Sequence, residues 1–219
     1  MEKNECYRVL KQLIIEQKYR PEQMLNEKDL MQTFDIGRTP LREVLLDLQR
    51  EGLVNVIPRC GTFVSSLSLD DLKNISQLRP TLESLVVGLL CDNATQEQLD
   101  HMANILQEAE KIIDANGGER LCSEAVVAIR NLEANLHNYM YEATSNPYLI
   151  YICRQLEANC ERYWVYANLN TDWLISQIED HKNLYQAIQR RDREVSMSIA
   201  KDHATRFIQR VIASLTKIQ

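Results

Sequence analysis

The stretch GRTPLREVLLDLQREG, residues 37–52, limits what this chain can fold into more than any other feature of the sequence. Its apolar residues recur at the i, i+3, i+4 and i+7 positions that form one buried face of a helix: Leu41, Val44, Leu45 and Leu48. Thr39 suits the N-cap of this helix, Pro40 its first position and Gly52 its C-terminal stop. The pattern therefore predicts a short amphipathic helix.

The flanking segments predict a second helix and a β-hairpin around this one. Upstream, Asn26 suits the cap of a short helix, and residues 35–37 form a short link that contains glycine. Downstream, residues 53–57 alternate like a half-buried strand, residues 62–64 form its partner, and residues 59–61 lie at the tip. Helix, turn, helix and hairpin in this order indicate a winged helix-turn-helix.

Three arginines lie where the recognition helix and the wing tip of such a motif would contact DNA. Arg38 and Arg42 belong to the region of the second helix, and Arg59 belongs to the hairpin tip. The alternative is a small α+β core motif with no role in nucleic-acid binding. The positions of the arginines favour DNA binding.

The segment LNEKDLMQTFDIGRTPLREVLLDLQREGLVNVIPRCGTFV resembles the DNA-binding domain of the GntR family of bacterial transcription regulators. The pattern of that family is roughly LSE..LA...GVSRTPVREAL..L..EGLV......GTFV. The resemblance implies DNA contacts from the two helices and the wing tip, by Lys28, Arg38, Thr39, Arg42, Arg59 and Gly61. Gly37 departs from the pattern, because the family usually carries Ser or Thr there.

The net charge differs between the two parts of the chain, and the cysteine content bears on the cellular compartment. Residues 1–68 hold ten Lys or Arg and ten Asp or Glu, so the formal net charge of −6 belongs to the remainder. That acidity argues against nucleic-acid contact by the second part. The six cysteines form no C-x-x-C pair, and no signal peptide or membrane-length apolar run is evident. We therefore expect a cytoplasmic protein with reduced thiols, no membrane contact and no disulfide framework.

Residues 69–219 show helical periodicity without strand alternation, which predicts an all-α domain after a winged helix-turn-helix domain of residues 1–68. The sequence indicates six or seven helices in an antiparallel bundle, which makes the fold class mainly α. Thr95 opens a capping box with Gln98, and Asn146-Pro147 breaks the helical pattern. Pro80 is expected to kink or split the first helix of the bundle.

Three histidines fall in three different predicted helices of this domain: His137, His181 and His203. Glu133 lies one helical turn before His137, so the two side chains share a face. Three imidazoles and one carboxylate suit Zn²⁺, Ni²⁺, Mn²⁺ or Fe²⁺. The alternative is that each is an ordinary core histidine. His101 is expected to be exposed.

Residues 75–215 resemble the FCD ligand-binding domain of the FadR-like branch of the GntR family. The matching marks are Arg79-Pro80-Thr81-Leu82-Glu83, the Glu133 to His137 spacing, Asn146-Pro147, Asp180-His181, and His203 at the expected separation. The resemblance implies that a divalent ion lies at the floor of an effector pocket, held by Glu133, His137, His181 and His203. Glu133 stands where metal-binding members carry Asp.

The same resemblance points to residues that would bind the effector. Arg79 matches an arginine that tends to face the pocket, and a guanidinium beside a metal suits a small carboxylate. An ion pair with Glu83 at i+4 is the alternative role for Arg79. Arg162 and Tyr166 share a helical face and are predicted to line the same cavity.

These resemblances imply a homodimeric, metabolite-responsive transcription regulator that binds double-stranded operator DNA. Repression released by the ligand is the commoner mode in the family. One alternative is a metal-free FCD regulator with a larger apolar effector, against which the three histidines argue. Another is a metal-dependent hydrolase, in which the ion would activate water. The sequence offers no separate general base for it, so we expect a protein that is not an enzyme.

Overall fold

The computed structural model describes residues 1–118, 121–167 and 171–216. The chain forms two compact units, of which the first comprises Met1–Leu69 and Ala158–Tyr166. The second comprises Asp70–Glu157 and the described residues from Ala167 onward. Leu69 and Ala158–Tyr166 lie within the helical domain predicted for residues 69–219, but in the structure they pack with the N-terminal unit.

The N-terminal unit has the predicted order of helices and hairpin. Its elements in chain order are α1 (Lys3–Ile15), β1 (Met24–Leu25), α2 (Glu27–Thr33), α3 (Arg38–Arg50), β2 (Val54–Ile57) and β3 (Gly61–Val64). The sheet is antiparallel with the order β1-β3-β2, and Val56 lies opposite Thr62. The winged helix-turn-helix is therefore confirmed. β1 was not predicted, because two residues are too few to show strand alternation.

The ends of α3 correct one sequence prediction and confirm another. Gly37 is the N-cap, so Thr39 and Pro40 occupy the second and third helical positions. Proline is tolerated there because the first N–H groups of a helix have no partner within the helix. At the other end, Gly52 has φ +73° and donates to the Gln49 carbonyl, a left-handed helix stop as expected.

Gly37 gives a direct test of how α3 begins. Its φ of −69° strains no side chain, and an added Cβ would meet Pro40 only at ordinary contact distance, 3.7 Å. Because Pro40 has no N–H, a serine hydroxyl at position 37 can cap only the amide of Thr39. We expect Gly37→Ser to unfold with about 1 kcal/mol more free energy than Gly37→Ala in urea titrations. Equal stabilities would contradict this cap.

The rest of the described chain is helical: α4 (Leu69–Asn93), α5 (Gln96–Ala115), α6 (Ser123–Ala143), α7 (Pro147–Ala167), α8 (Thr171–Gln189) and α9 (Arg193–Leu215). The second unit contains these helices except Leu69 and the Ala158–Tyr166 stretch of α7. Thr95 and Gln98 form the predicted capping box, and Asn146 caps α7 by accepting from the amides of Tyr148 and Leu149. α4 continues through Pro80, so the expected split does not occur. Pro80 is buried, and burial offsets the hydrogen bond that proline removes.

Apolar side chains from α4, α5, α6, α7, α8 and α9 form one buried core in this unit. Val86 and Leu90 of α4 pack there with Met102 and Met140, and all four are almost fully buried. In the part of the chain that the structure describes, no helix combines the length and apolarity needed to cross a bilayer. The histidine-bearing helices α6, α8 and α9 are thus held together by a shared core.

Candidate functional site

Five of the six predicted DNA contacts are exposed on α2, α3 and the hairpin, whereas Gly61 begins β3 and is half-buried. Lys28 lies in the first turn of α2, and Arg38, Thr39 and Arg42 lie in the first turns of α3, all four with exposed side chains. Arg59 occupies the hairpin tip with φ +64°, a left-handed conformation that a tight turn imposes. Arg42 approaches Glu27 at 3.4 Å, and such an exposed ion pair contributes little. The basic side chains therefore remain accessible to a phosphate backbone or to base edges.

A buried cluster brings together the four residues that were predicted as metal ligands. Their candidate ligand atoms all lie within 4.8 Å of one another, for the set Glu133, His137, His181 and His203. The Nε2 atoms of His137 and His181 are 3.1 Å apart, and the ring centroids of His181 and His203 are 4.4 Å apart. The three imidazoles are buried, and Glu133 is half-buried. Residues from α6, α8 and α9 thus converge on one point.

The Nδ1 atoms of the three histidines have different surroundings. His137 Nδ1 lies 3.4 Å from the Tyr141 hydroxyl and 3.7 Å from a carboxylate oxygen of Glu83. His203 Nδ1 lies 3.5 Å from Asp180 Oδ2. Nδ1 of His181 and Nδ1 of His203 are both buried without a hydrogen-bond partner among the described residues. Tyr141 and Asp180 were not predicted as part of the site, although each is close in sequence to a ligand histidine.

An arginine–carboxylate network lies beside His137. The Arg79 Nη2 donates to Glu157 Oε2 at 2.7 Å, and Arg79 Nε lies 3.4 Å from Glu83 Oε1. Tyr141 donates to Glu83 at 2.6 Å. The i+4 ion pair that the sequence allowed is therefore present, and a second carboxylate joins it. No sequence pattern indicated that Glu157 would pair with Arg79, because only the fold brings α7 against α4 at this point.

Charge is distributed unevenly among the clustered groups. Burial alone would lower the pKa of His137, but the carboxylates of Glu157 and Glu83 outweigh it and raise that pKa to about 9. Burial and the neighbouring histidines lower the pKa of His181. Burial also lowers the pKa of His203 and raises that of Glu133 to about 7. The carboxylates of Glu157 and Glu83 thus shift the pKa of His137 in the direction opposite to those of His181 and His203.

The donor set and its spacing fit a divalent ion. Two imidazole nitrogens bound to one Zn²⁺ at about 2.0–2.1 Å would lie roughly 3 Å apart. The 3.1 Å between the Nε2 atoms of His137 and His181 matches that spacing, although an N–H···N hydrogen bond would also satisfy it. The convergence of His203 and Glu133 on the same point favours a cation, because a hydrogen bond between two rings needs no further donors.

The other two predicted effector contacts lie on α7. Arg162 and Tyr166 belong to the Ala158–Tyr166 stretch, which packs with the N-terminal unit. The Arg162 guanidinium donates to the Ser65 carbonyl, and burial lowers its pKa to about 10. That Arg162 and Tyr166 line the effector pocket stays a prediction; Arg162 is buried, and Tyr166 is 46% exposed. His101 is exposed as predicted, with its ring 4.1 Å from that of Tyr139.

The exposed arginines on the helix-turn-helix and the buried polar site in a separate helical unit define a DNA-binding regulator with a ligand-binding module. Two family models match the chain: bacterial regulatory proteins of the gntR family over residues 2–64, and the FCD domain over residues 74–206. The chain belongs to the GntR family of transcription regulators, in the group that carries an FCD domain. This confirms the resemblance drawn from the sequence.

Several known proteins are similar to this chain along most of its length. The HTH-type transcriptional regulator YdhC of Bacillus subtilis is 27% identical over 90% of this chain and 83% of its own. The HTH-type transcriptional repressor RspR of Escherichia coli is 22% identical over 86% of this chain and 79% of its own. The family and these relatives are transcription regulators, which confirms the prediction that the protein is not an enzyme.

Solved structures support the fold. Escherichia coli McbR/YncC superposes with a TM-score of 0.79 at 20% identity, covering 99% of this chain and 98% of that one. A GntR regulator from Rhodococcus sp. RHA1 gives a TM-score of 0.71 at 15% identity, with 96% and 97% coverage. At such identities the likeness concerns the architecture alone: a winged helix-turn-helix joined to an all-helical unit.

Proposed function

We propose that this regulator is a dimeric, cytoplasmic repressor whose effector is a small carboxylate bound beside a divalent metal ion. The observation that carries the proposal is the convergence of Glu133, His137, His181 and His203 within 4.8 Å, inside the helical unit of a DNA-binding protein. These four side chains would hold the ion. When bound, the ion would supply positive charge and open coordination positions to a carboxylate oxygen.

The network around Arg79 refines how the effector would be attracted. Arg79 is paired with Glu83 and Glu157, so its positive charge is already balanced. Arg79 therefore holds two acidic side chains beside His137, and the ion would supply most of the attraction for an anionic effector. A larger apolar effector in a metal-free site is disfavoured, because it would leave three buried imidazoles facing an apolar group.

Dimer formation is proposed because a single DNA-binding unit covers too short a DNA sequence. One recognition helix contacts only a few base pairs, so two half-sites and a two-fold dimer are needed for useful specificity. On α4, Leu78 and Leu85 are 53% and 42% exposed and lie seven residues apart, on one helical face. Such exposed apolar surface suits a contact with a second copy of the chain.

The proposed function is tested by measuring whether a carboxylate releases the protein from its operator. An operator is first selected from random duplex DNA, and the number of chains per bound duplex is measured. Acetate, lactate, malate and citrate are then titrated against the complex, with Zn²⁺ present and after chelation. We expect two chains per duplex and release by at least one carboxylate only when Zn²⁺ is present. Release that is equally strong after chelation would contradict the metal-dependent site.

The arginines of α3 should account for much of the operator affinity. Arg38→Ala or Arg42→Ala should weaken operator binding by about 1–3 kcal/mol if the side chain contacts a base edge. Both side chains are exposed, so the fold should not change. Arg50→Ala is the matched control, because Arg50 is exposed in the last turn of the same helix. Gel shifts at a fixed salt concentration make the comparison, and wild-type affinity in both variants would refute the assignment.

A further inference from the structure

Asp180 lies beside the histidine cluster, although it is not one of the four predicted metal ligands. It precedes His181 on α8, and its Oδ2 lies 3.5 Å from Nδ1 of His203 on α9. The same oxygen accepts a hydrogen bond from Nη2 of Arg206 at 2.7 Å. The Asp180 carboxylate therefore links the two helices that carry His181 and His203.

The position of Asp180 bears on which nitrogen of His203 is available to a metal. An imidazole that directs its Nδ1–H at a carboxylate keeps the lone pair on Nε2, the tautomer needed for binding through Nε2. The His203 ring is buried. Asp180 also pairs with Arg206 at 2.7 Å, which holds the carboxylate in place beside the His203 ring.

The other two histidines of the cluster have different support. His137 faces the Tyr141 hydroxyl and Glu83, which also belong to the Arg79 network. Nδ1 of His181 and Nδ1 of His203 both lack a hydrogen bond among the described residues, but Nδ1 of His203 has the Asp180 carboxylate 3.5 Å away. Asp180 thus places a carboxylate beside Nδ1 of His203, and its side chain is 18% exposed. Changing it alters the support of one ligand without opening the core.

We propose that Asp180 is a positioning residue of the metal site, which orients His203 and fixes its tautomer for the ion. The inference rests on the proposed function, since it presupposes a metal at the cluster. Partners of this kind typically change metal affinity by 10- to 100-fold when they are removed. Asp180 acts through His203 and is not itself proposed as a ligand.

The test compares two aspartates that flank ligand histidines. Asp202 precedes His203, is exposed and lines the same surface groove as Asp180 and Arg206, so Asp202→Asn removes a similar charge. Zn²⁺ affinity is measured by competition with a chromogenic chelator. We expect a 10- to 100-fold loss for Asp180→Asn, about twofold at most for Asp202→Asn, and recovery of most of the affinity in Asp180→Glu.

Two further measurements separate positioning from folding. The melting temperatures of the metal-free variants should match that of the wild type, and the visible spectrum of the Co²⁺-loaded protein should change only in the Asp180→Asn variant. If that variant does not fold, Asp180→Ser takes its place. Equal Zn²⁺ affinities for the Asn variants at positions 180 and 202 would overturn the role of Asp180. A wild type that binds no Zn²⁺, Ni²⁺ or Mn²⁺ would overturn the metal site itself, and this inference with it.

Discussion

Replacing Arg79 with methionine is expected to lower the free energy of unfolding of the helical unit by about 3–5 kcal/mol. The Arg79 side chain is 5% exposed and pairs with Glu157 at 2.7 Å and Glu83 at 3.4 Å. Methionine fills similar volume but leaves both carboxylates buried without their cation. Such an uncompensated charge is far more costly than the loss of an exposed ion pair.

The sequence offers a way to measure this loss in the helical unit alone. Trp164 belongs to the N-terminal unit and Trp173 to the helical unit, so in a Trp164→Phe background the fluorescence reports on the helical unit. Arg154→Met is the matched control, because Arg154 pairs with Glu142 on the surface and should cost less than about 1 kcal/mol. Adding Glu157→Gln to Arg79→Met should recover part of the loss. Equal losses for Arg79→Met and Arg154→Met would contradict the buried network.

Replacing His181 with alanine is expected to abolish the stabilisation of the protein by metal. An ion that binds only the folded state adds about 2.7 kcal/mol of stability at a concentration one hundred times its dissociation constant. His181 Nε2 lies 3.1 Å from His137 Nε2, so its loss removes one of the two closest donors. Thermal unfolding with and without Zn²⁺, together with the metal content of the purified protein, makes the measurement.

His101→Ala is the control for this experiment, since His101 is exposed on α5 and lies outside the ligand set. It should retain the whole rise in melting temperature that Zn²⁺ gives the wild type. If Zn²⁺ stabilises the His181 and His101 variants equally, the three buried histidines are core residues and the metal proposal is wrong. The DNA-binding unit should remain folded in both variants, because neither residue belongs to it.

Much of the architecture follows from local sequence rules. The spacing of Leu41, Val44, Leu45 and Leu48 determined the buried face of α3, and all four are buried. Gly52 ended that helix because glycine adopts positive φ without strain. The capping box at Thr95 and the break at Asn146 likewise depend on neighbours a few residues away. Rules that involve residues a few positions apart can be applied to a sequence without knowledge of the tertiary structure.

The four predicted metal ligands could also be identified from the sequence, but for a different reason. Glu133 and His137 are one helical turn apart, so their shared face follows from helix geometry alone. Nothing in the spacing of His181 and His203 requires them to meet His137. Their assignment came from the resemblance to the FCD domain, and the fold then placed all four donors within 4.8 Å. Whether a metal binds them stays a prediction.

Tertiary packing decided the surroundings of that cluster. Glu157 meets Arg79 across 78 positions of sequence, and Asp180 meets Arg206 across 26, distances at which no local pattern operates. Arg162 shares a helical face with Tyr166 as the sequence indicated, yet it serves the N-terminal unit through the Ser65 carbonyl. The sequence by itself determined the elements and the chemical character of their faces. Only the folded chain decided which charges face one another, because that depends on how whole helices pack.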